Sequence, residues 1–270
     1  MRFSFLKGIN QRVLVLGNVD TGKTFLCFRF LQEVLKFRKE VGLVCADLGQ
    51  SAVGPPGCVS FKIFTKAPFF KDAFFYVEPD KIEFVGSLSP HGFVSEHLTC
   101  TKNMVEEASC YTNFIIINTT GYIKGQEAYQ LKFLKVRLLR PTTIVAIQEK
   151  NELEDLLKLF SCHPRLTLYR LRKSKKVLKR SKQMRADFRN FLFREYFSKF
   201  YKINLRVGNV HLKERELVGL LDKNLVTVSL GVITKLDKLK MEVITPLKNI
   251  RDLWSIKPSS ILIDKEVLGV

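Results

Sequence analysis

Hydrophobic and polar positions follow two patterns along the first 170 residues. Short runs that are apolar at nearly every position indicate strands buried on both faces, and longer segments with apolar residues three and four positions apart indicate helices. The predicted strands are 12–17, 41–47, 73–79, 82–86, 113–118, 142–148 and 166–171, and the predicted helices are 24–40, 93–111, 127–139 and 151–160. This alternation predicts an α/β fold with a mostly parallel sheet and helices on both faces.

A different pattern begins near Val207. Short strand patterns separated by turns lie at 217–222, 225–234, 240–247 and 259–270. They predict a small antiparallel β module, so we expect one domain over residues 1–205 and a second over residues 206–270. The stretch 48–60 is rich in glycine and proline and is predicted to be a loop.

A glycine-rich turn joins the first predicted strand to the first predicted helix. Residues 17–24 read GNVDTGKT, which matches the GxxxxGK[ST] phosphate-binding loop in the strand-then-helix context that the motif requires. In such a loop the backbone N–H groups hold the phosphates, Lys23 reaches the β- and γ-phosphates, and the Thr24 hydroxyl binds Mg²⁺. The sequence therefore predicts a P-loop NTPase-type fold that binds ATP or GTP. The predicted nucleotide contacts are Gly17, Asn18, Val19, Asp20, Thr21, Gly22, Lys23, Thr24 and Phe25.

P-loop proteins usually hold their metal with a second acid at the end of another buried strand. The strand 113–118 would be the usual place, but it ends in Asn118. The strand 41–47 does end in an acid, Asp47, at the edge where open α/β sheets bind their ligands. Asp47 is therefore the candidate to hold Mg²⁺ or to accept a proton from an attacking hydroxyl. A turn or helix-cap role is the alternative.

The chain is strongly basic. Its 270 residues include 45 Lys and Arg against 26 Asp and Glu, a formal net charge of +19. Residues 170–206 alone hold 14 basic and 2 acidic residues. Such a cluster favours a polyanionic partner, because each phosphate that a basic side chain neutralises releases counterions. A solubility role or a basic compositional bias is the alternative, and a small-metabolite kinase would not need this segment.

Cysteine and histidine positions do not form a metal-binding pattern. None of the six cysteines lies in a CxxC pair, so reduced thiols are expected. His91 and His97 are interpreted as structural, because no acidic or metal-binding partner is spaced with them. The apolar runs are too short to cross a bilayer, and the N-terminus has no secretory signal. We therefore expect an intracellular, soluble protein with no membrane partner.

Two segments at the ends of predicted strands resemble the polynucleotide 5′-hydroxyl kinases. Residues 47–50 (DLGQ) with 55–60 (PPGCVS) are similar to the DxGQ…PPGxxS stretch of that family. Residues 118–125 (NTTGYIKG) are similar to its NTxGWxKG clasp, with Tyr122 where the family usually has Trp.

Further matches continue in the family's order over roughly residues 12 to 250. Residues 84–90 (FVGSLSP) are similar to the (Y/F)xGxxSP segment. Arg180, Arg185 and Arg189 resemble the arginines of the family's lid, expected at about 172–202. A helix that only packs, with these arginines on its solvated face, is the alternative.

The resemblance implies a kinase that phosphorylates the 5′-OH end of single-stranded RNA with ATP and Mg²⁺. Asp47 would be the general base. Lys23 and a lid arginine, with Arg185 the first choice and Arg189 the second, would stabilise the transition state. The implied RNA contacts are Gln50, Thr120, Tyr122, Lys124 and Arg180. In this hypothesis Thr120 bonds the first phosphodiester and Tyr122 stacks near the terminal nucleotide, whereas ordinary turn and packing roles are the alternative.

The family has two branches. One contains the RNA kinase of pre-rRNA processing, which works with an endonuclease, and the other contains the kinase subunit of the mRNA cleavage factor, also involved in tRNA splicing. The PPGCVS stretch favours the first, whereas the RSK…REYF pattern favours the second. We expect the first, with an endonuclease partner and residence in the nucleus, specifically the nucleolus. An ATP-binding structural subunit with little or no kinase activity is the alternative. The N-terminal β domain common in both branches is expected to be missing.

Overall fold

The fold is that of a computed structural model, which describes residues 3–68, 74–206, 211–237 and 240–268. The strands within these ranges are β1 (Gln11–Gly17), β2 (Val41–Ala46), β3 (Cys58–Phe64), β4 (Lys81–Phe84), β5 (Phe114–Thr119), β6 (Thr143–Gln148), β7 (Thr167–Arg172), β8 (Tyr201–Arg206), β9 (Leu217–Leu221), β10 (Thr227–Leu236), β11 (Lys240–Thr245) and β12 (Ser255–Lys257). The helices are α1 (Lys23–Val34), α2 (Val94–Ser109), α3 (Gln126–Leu139), α4 (Glu154–Lys158), α5 (Lys182–Tyr196) and α6 (Lys265–Leu268), preceded by a 3₁₀ helix at Ser4–Lys7.

Seven strands form one sheet in the order β4-β3-β2-β5-β1-β6-β7. The five strands from β2 to β7 in this order are parallel, and β3 and β4 are antiparallel to their neighbours. Ala46 on β2 is paired with Thr119 on β5, and Val15 on β1 is paired with Asn118. The carboxyl ends of β2, β5 and β1 therefore lie side by side. The predicted P-loop NTPase-type fold, with its mostly parallel sheet, is confirmed.

Helices cover both faces of this sheet, as predicted. On β1, Leu14 and Leu16 belong to the hydrophobic cluster that includes side chains of α2, α3 and α4. Val13 and Val15 belong to the cluster on the opposite face, which includes α1. Because successive side chains of a strand point to opposite faces, a strand covered on both sides has an unbroken apolar sequence.

The remaining strands form an antiparallel sheet in the order β12-β9-β10-β11-β8, which confirms the predicted C-terminal β module. This sheet packs against β4 and α5. The backbone N–H of Phe84 donates to Thr227 Oγ1 at 3.0 Å, and a Cβ on Gly219 would lie 2.6 Å from the Phe84 ring. Phe193 and Phe197 join the same cluster. The end of the arginine-bearing segment is thereby fixed to the second sheet.

Several predicted boundaries are wrong. Segment 74–79, within the strand predicted at 73–79, forms only an isolated bridge between Val53 and Val77; residue 73 lies outside the described residues. The loop predicted at 48–60 ends early, because β3 begins at Cys58 and pairs with β2. Segment 259–268, within the strand predicted at 259–270, forms a bridge at Leu262 and the short helix α6 instead; residues 269–270 lie outside the described residues. The early start of β3 depends on its pairing with β2, which local hydrophobicity does not report.

The helix of the lid expected at about 172–202 also covers only part of that range. It ends at Tyr196, and β8 begins at Tyr201 and pairs with β11. The second sheet therefore includes residues before the expected boundary at 206. Among the described residues no helix is both long enough and apolar enough to cross a membrane.

Candidate active site

The phosphate-binding loop folds tightly between β1 and α1. Gly22 has φ +90°, a left-handed conformation that favours glycine. A Cβ on Gly17 would lie 2.7 Å from the carbonyl oxygen of Ile147, so β6 supports the loop directly. The Thr21 hydroxyl donates to Asn18 O at 2.9 Å. The loop geometry that the motif predicts is therefore present.

Lys23 lies inside this loop. Its side chain is buried, and Nζ donates to Asn18 O at 2.7 Å. Burial lowers the pKa of Lys23, and the nearby Asp47 carboxylate partly opposes that change. The two predicted catalytic groups therefore lie within electrostatic reach of each other.

Asn118 is a site residue that the sequence analysis set aside. At the end of β5 its Nδ2 donates to the Thr24 hydroxyl at 3.2 Å. Its Oδ1 is buried and has no hydrogen-bond partner among the described residues. The sequence signal for Asn118 was its position, since this fold places a metal-binding side chain at the end of the strand next to β1.

Thr24, Asn118 and Asp47 present oxygen atoms of the kind that Mg²⁺ prefers. The unpaired Oδ1 of Asn118 beside the Thr24 hydroxyl fits such an ion. The described residues contain no group of three or more His, Cys, Asp or Glu side chains able to hold a metal by themselves. This donor set therefore suits Mg²⁺, which usually keeps several waters and binds through substrate phosphates.

Asp47 follows β2 directly and is half-buried. Its Oδ1 accepts a hydrogen bond from the backbone N–H of Gly49 at 3.3 Å. That bond is the turn contact considered as the alternative. It leaves the second carboxylate oxygen for chemistry, so the turn role and the catalytic role are compatible.

The arginine-bearing segment contacts the phosphate-binding loop. The Arg185 guanidinium forms an ion pair with Asp20 at 2.6 Å, with 29% of the arginine and 12% of the aspartate side chain exposed. The backbone N–H of Arg180 also donates to Asp20, at 3.1 Å. A Cβ on Gly22 would lie 3.2 Å from the Val177 side chain. This segment therefore covers the loop, and Asp20 is its main polar attachment.

Gln50 attaches to the same segment. Its Nε2 donates to the carbonyl oxygen of Arg185 at 3.1 Å, and Arg180 Nη1 donates to its Oε1 at 3.4 Å. Two predicted RNA contacts, Gln50 and Arg180, are thereby bonded to each other.

Arg189 differs from Arg185. It makes no hydrogen bond or ion pair with any described residue, and burial and the neighbouring Arg185 lower its pKa. On the same helix Phe188, Leu192 and Phe193 are buried. The helix therefore has both a packing face and an arginine face next to the loop.

The predicted clasp turn packs against the phosphate-binding loop. A Cβ on Gly121 would lie 2.6 Å from the backbone nitrogen of Val19. The Thr120 hydroxyl accepts a hydrogen bond from the Tyr122 backbone N–H at 3.3 Å. The clasp, the loop and the end of β2 therefore share one edge of the sheet.

The ring of Tyr122 is held by Glu127. Tyr122 Oη donates to Glu127 Oε2 at 2.6 Å, and His91 Nδ1 lies 2.6 Å from the same oxygen. The Gly92 N–H donates to Oε1. These bonds lower the pKa of Glu127 to about 2. The interpretation of His91 as a residue without an acidic partner is therefore wrong, because the turn before α2 brings it to α3.

Three other predicted contacts lie at the surface of this site. Phe25 is 72% exposed and Val19 is 44% exposed, both next to the phosphate-binding loop. Lys124 is exposed on the clasp turn. These positions are open to a ligand, and no described contact assigns them another role.

The sequence analysis also missed two lysines whose side-chain amines are buried behind the site. Lys132 and Lys135 on α3 are 1% and 0% exposed. A sequence signal did exist, because both occupy the apolar stripe of α3 formed by Ala128, Leu131, Val136 and Leu139. His97, which was interpreted as structural, is buried as well, and its ring lies 3.3 Å from Lys135 Nζ.

Comparison with known proteins agrees with this geometry. Residues 17–199 match the model of the family described as mRNA cleavage and polyadenylation factor CLP1 P-loop. The polyribonucleotide 5′-hydroxyl-kinase of Methanocaldococcus jannaschii is 34% identical over 71% of this chain and 52% of its own length. The polyribonucleotide 5′-hydroxyl-kinase Clp1 of Danio rerio is 28% identical over 70% of this chain and 44% of its own length. The chain thus spans about half the length of these relatives.

A solved structure shares the fold. It is the structure of wild-type Clp1p in complex with Pcf11p, with a TM-score of 0.74, 14% identity, and coverage of 96% of this chain and 76% of that one. The family match covers more than half of the chain and includes the phosphate-binding loop, Asp47, the clasp and the arginine-bearing helix. The chain therefore belongs to the mRNA cleavage and polyadenylation factor CLP1 P-loop family.

Proposed function

We propose that this chain transfers the γ-phosphate of ATP to the 5′-hydroxyl of single-stranded RNA. The observation that carries the proposal is the arrangement of three adjoining strand ends. β1 leads into Lys23 and Thr24, β2 into Asp47, and β5 into the clasp. The names of the relatives from M. jannaschii and D. rerio support this substrate class.

In the proposed reaction the 5′ oxygen forms a bond to the γ-phosphorus, and the bond from that phosphorus to the bridging oxygen breaks to leave ADP. Asp47 accepts the hydroxyl proton. Lys23 turns from Asn18 O towards the β- and γ-phosphates. Mg²⁺ would be held by Thr24 and Asn118 and would neutralise phosphate charge, while the free oxygen of Asp47 takes the proton. The protein thus contributes mainly position and electrostatic stabilisation.

The RNA end would enter over the clasp turn. Tyr122 presents a ring held by Glu127 and suited to stacking on a base. Thr120 and the exposed Lys124 lie on the same turn for contacts to the first phosphates. Gln50 and Arg180 would exchange their mutual contacts for contacts to RNA.

The negative charge on the transferring phosphate in the transition state requires a cation that can reach it. Arg185 reaches the phosphates only by leaving Asp20, whereas Arg189 has no described partner to leave. We therefore infer that Arg185 moves on substrate binding and that Arg189 assists it. Such arginines contribute roughly 10³ to 10⁵ in rate.

We further propose that the reaction serves pre-rRNA processing after cleavage by a partner endonuclease, in the nucleus and specifically the nucleolus. The PPGCVS stretch supports this branch, and the basic segment 170–182 is a candidate import signal. The competing process is mRNA 3′-end cleavage or tRNA splicing, which the CLP1 family description favours. Loss of the protein should leave 5′-hydroxyl ends on rRNA precursors, and their accumulation on tRNA halves alone would favour the competing process.

A second candidate function is that of an ATP-binding structural subunit. The observation that favours it is the covering segment, in which Arg185 is paired with Asp20 and Gln50 with Arg180. In that state the cations face the protein and not a substrate.

The two functions differ in turnover. Wild type should move labelled γ-phosphate from ATP to a 5′-hydroxyl oligoribonucleotide, and Lys23→Met should abolish the transfer. A matched oligodeoxyribonucleotide tests sugar preference. Tight ATP binding without transfer to any 5′-hydroxyl end would reject the kinase and support the structural subunit.

A further inference from the structure

The helix that follows the clasp carries two lysines in the protein core. Lys132 and Lys135 face the seven-stranded sheet from α3 and are 1% and 0% exposed. Neither forms an ion pair with a carboxylate among the described residues. Lysines are almost never fully buried without such a partner, because burying the ammonium group costs free energy. Their positions therefore need a reason beyond packing.

Lys132 contacts the clasp turn from below. Its Nζ donates to Thr120 O at 2.6 Å and to Thr119 Oγ1 at 3.3 Å. These acceptors belong to the turn that carries Thr120 and Tyr122. The amine thereby holds the buried side of that turn and leaves its other side to the RNA end.

Lys135 acts on the end of β2 through His97. The imidazole Nε2–H donates to Ala46 O at 2.9 Å, and Lys135 Nζ, 3.3 Å from the same nitrogen, can accept from this N–H as a neutral amine. Ala46 is the residue directly before Asp47. The second amine thereby supports the backbone from which the proposed general base projects.

The two contacts converge on one task. A single turn of α3 supports both strand ends that carry the proposed chemistry, and both amines are within electrostatic reach of Asp47. Sub-ångström placement of this kind has large effects, since a displacement of about 1 Å can cost on the order of 10²-fold in rate.

We propose that Lys132 and Lys135 are positioning residues for phosphate transfer, which hold the clasp turn and the end of β2 at a fixed spacing and are retained at a cost in stability. The proposal rests on the proposed kinase function. Neither lysine is accessible to substrate. The proposed role of α3 therefore differs from that of a surface cation, which could bind the substrate directly.

The test compares Lys132→Met and Lys135→Met with Lys158→Met, a matched change at an exposed lysine of α4. Replacing a buried charged group by an apolar one of similar volume is often stabilising, so both core variants should raise Tm by about 2–4 °C. Both should lower kcat by about tenfold or more, with the KM for ATP unchanged. Lys158→Met should change neither quantity.

Each other outcome is decisive. Core variants that lose stability, or fail to fold, together with activity would show a purely structural role and overturn the proposal. Core variants that keep the wild-type kcat would overturn it while the kinase function stands. A wild type that transfers no phosphate would reject the kinase function, and the positioning role with it.

Discussion

At the scale of single residues, the Glu127 carboxylate organises the predicted RNA contact. It accepts hydrogen bonds from the Tyr122 hydroxyl, the His91 ring and the Gly92 backbone N–H. Tyr122 therefore has a fixed ring orientation, although it offers less stacking area than the Trp usual at this position. The hydroxyl that Trp lacks supplies the bond that fixes the ring.

We predict that Glu127→Gln raises the KM for RNA by about fivefold, because a hydrogen bond to a charged acceptor is replaced by a weaker one. The KM for ATP should not change. Since the pKa of Glu127 is about 2, below its usual range, the carboxylate stays ionised from neutral pH down to pH 5. Steady-state kinetics with Glu107→Gln, at the far end of α2, provide the control. An unchanged KM for RNA would show that Tyr122 does not need this contact.

Burial lowers the pKa of Lys135 to about 7, from an ordinary value near 10.5. His97, Lys132 and Asp47 are the titratable groups that face it. Between about pH 7 and pH 10.5, Lys135 binds a proton in the unfolded chain but not in the native protein. The free energy of unfolding of wild type should therefore rise with pH relative to that of Lys135→Met.

Urea unfolding of both proteins at pH 7 and pH 9.5 measures this difference. The variant's advantage in stability should shrink at the higher pH. An advantage that stays constant or grows would mean that Lys135 does not titrate in this range. Lys158→Met should show no such trend.

Single residues were predictable where a motif fixes them and not where tertiary contacts do. The GxxxxGK[ST] spacing located Lys23 and Thr24 because the loop needs them in consecutive positions. His91 and Glu127 lie 36 residues apart, and only the packing of α2 and α3 joins them. The proposed roles of Lys132 and Lys135 could not be predicted either, because they depend on which strand ends pack against α3.

At the scale of elements, the arginine-bearing segment is attached to the phosphate-binding loop by a few polar contacts. The Asp20 carboxylate accepts hydrogen bonds from both the Arg185 guanidinium and the Arg180 backbone N–H. The far end of α5 is anchored by Phe193 and Phe197 in the core of the second sheet. The segment is thus fixed at one end and held by an ion pair at the other, an arrangement suited to opening over the loop.

We predict that Asp20→Asn speeds amide hydrogen exchange in residues 174–185 by about tenfold, because the charge that holds Arg185 is lost. Asparagine tolerates the left-handed φ of +55° at this position, so the loop itself should remain folded. Glu195→Gln changes an exposed carboxylate at the far end of the same helix and should have no effect on this segment. Equal exchange in wild type and Asp20→Asn would show that the pair does not hold the segment.

Elements were predicted well where one pattern covered their whole length. The central parallel strands β1, β2, β5 and β6 are mostly apolar because helices cover both faces, and that signal is local. β8 was missed because its alternating sequence continues directly from a helix, and its pairing with β11 crosses more than 30 residues. The bridge at Val77 likewise depends on Val53 and not on the apolar run around it.

At the scale of the whole molecule, charge is concentrated beside the site. Residues 170–206 include the strand and loop that lead to α5, and Lys175, Lys176 and Lys179 are exposed there. The predicted electrostatic path for RNA therefore leads towards the segment that covers the phosphate-binding loop.

We predict that affinity for RNA falls steeply with salt, whereas the KM for ATP does not. Changing Lys175, Lys176 and Lys179 to Gln should reduce the slope of log affinity against log salt by about 0.7 per lysine. Lys223, Lys235 and Lys248, exposed in the C-terminal β module, form a matched triple change that should leave the slope as it is. Equal slopes for the two triple variants would place the RNA path elsewhere.

The central claim is that the phosphate-binding loop and Asp47 act on one 5′-hydroxyl end. The single-turnover rate of phosphate transfer to a 5′-hydroxyl oligoribonucleotide, in wild type and Asp47→Asn, tests it most directly. The exposed Asp155→Asn is the control. We predict a loss of about 10²- to 10⁴-fold for Asp47→Asn, as for removal of a general base, and no loss for the control. Transfer by Asp47→Asn at the wild-type rate would contradict the account.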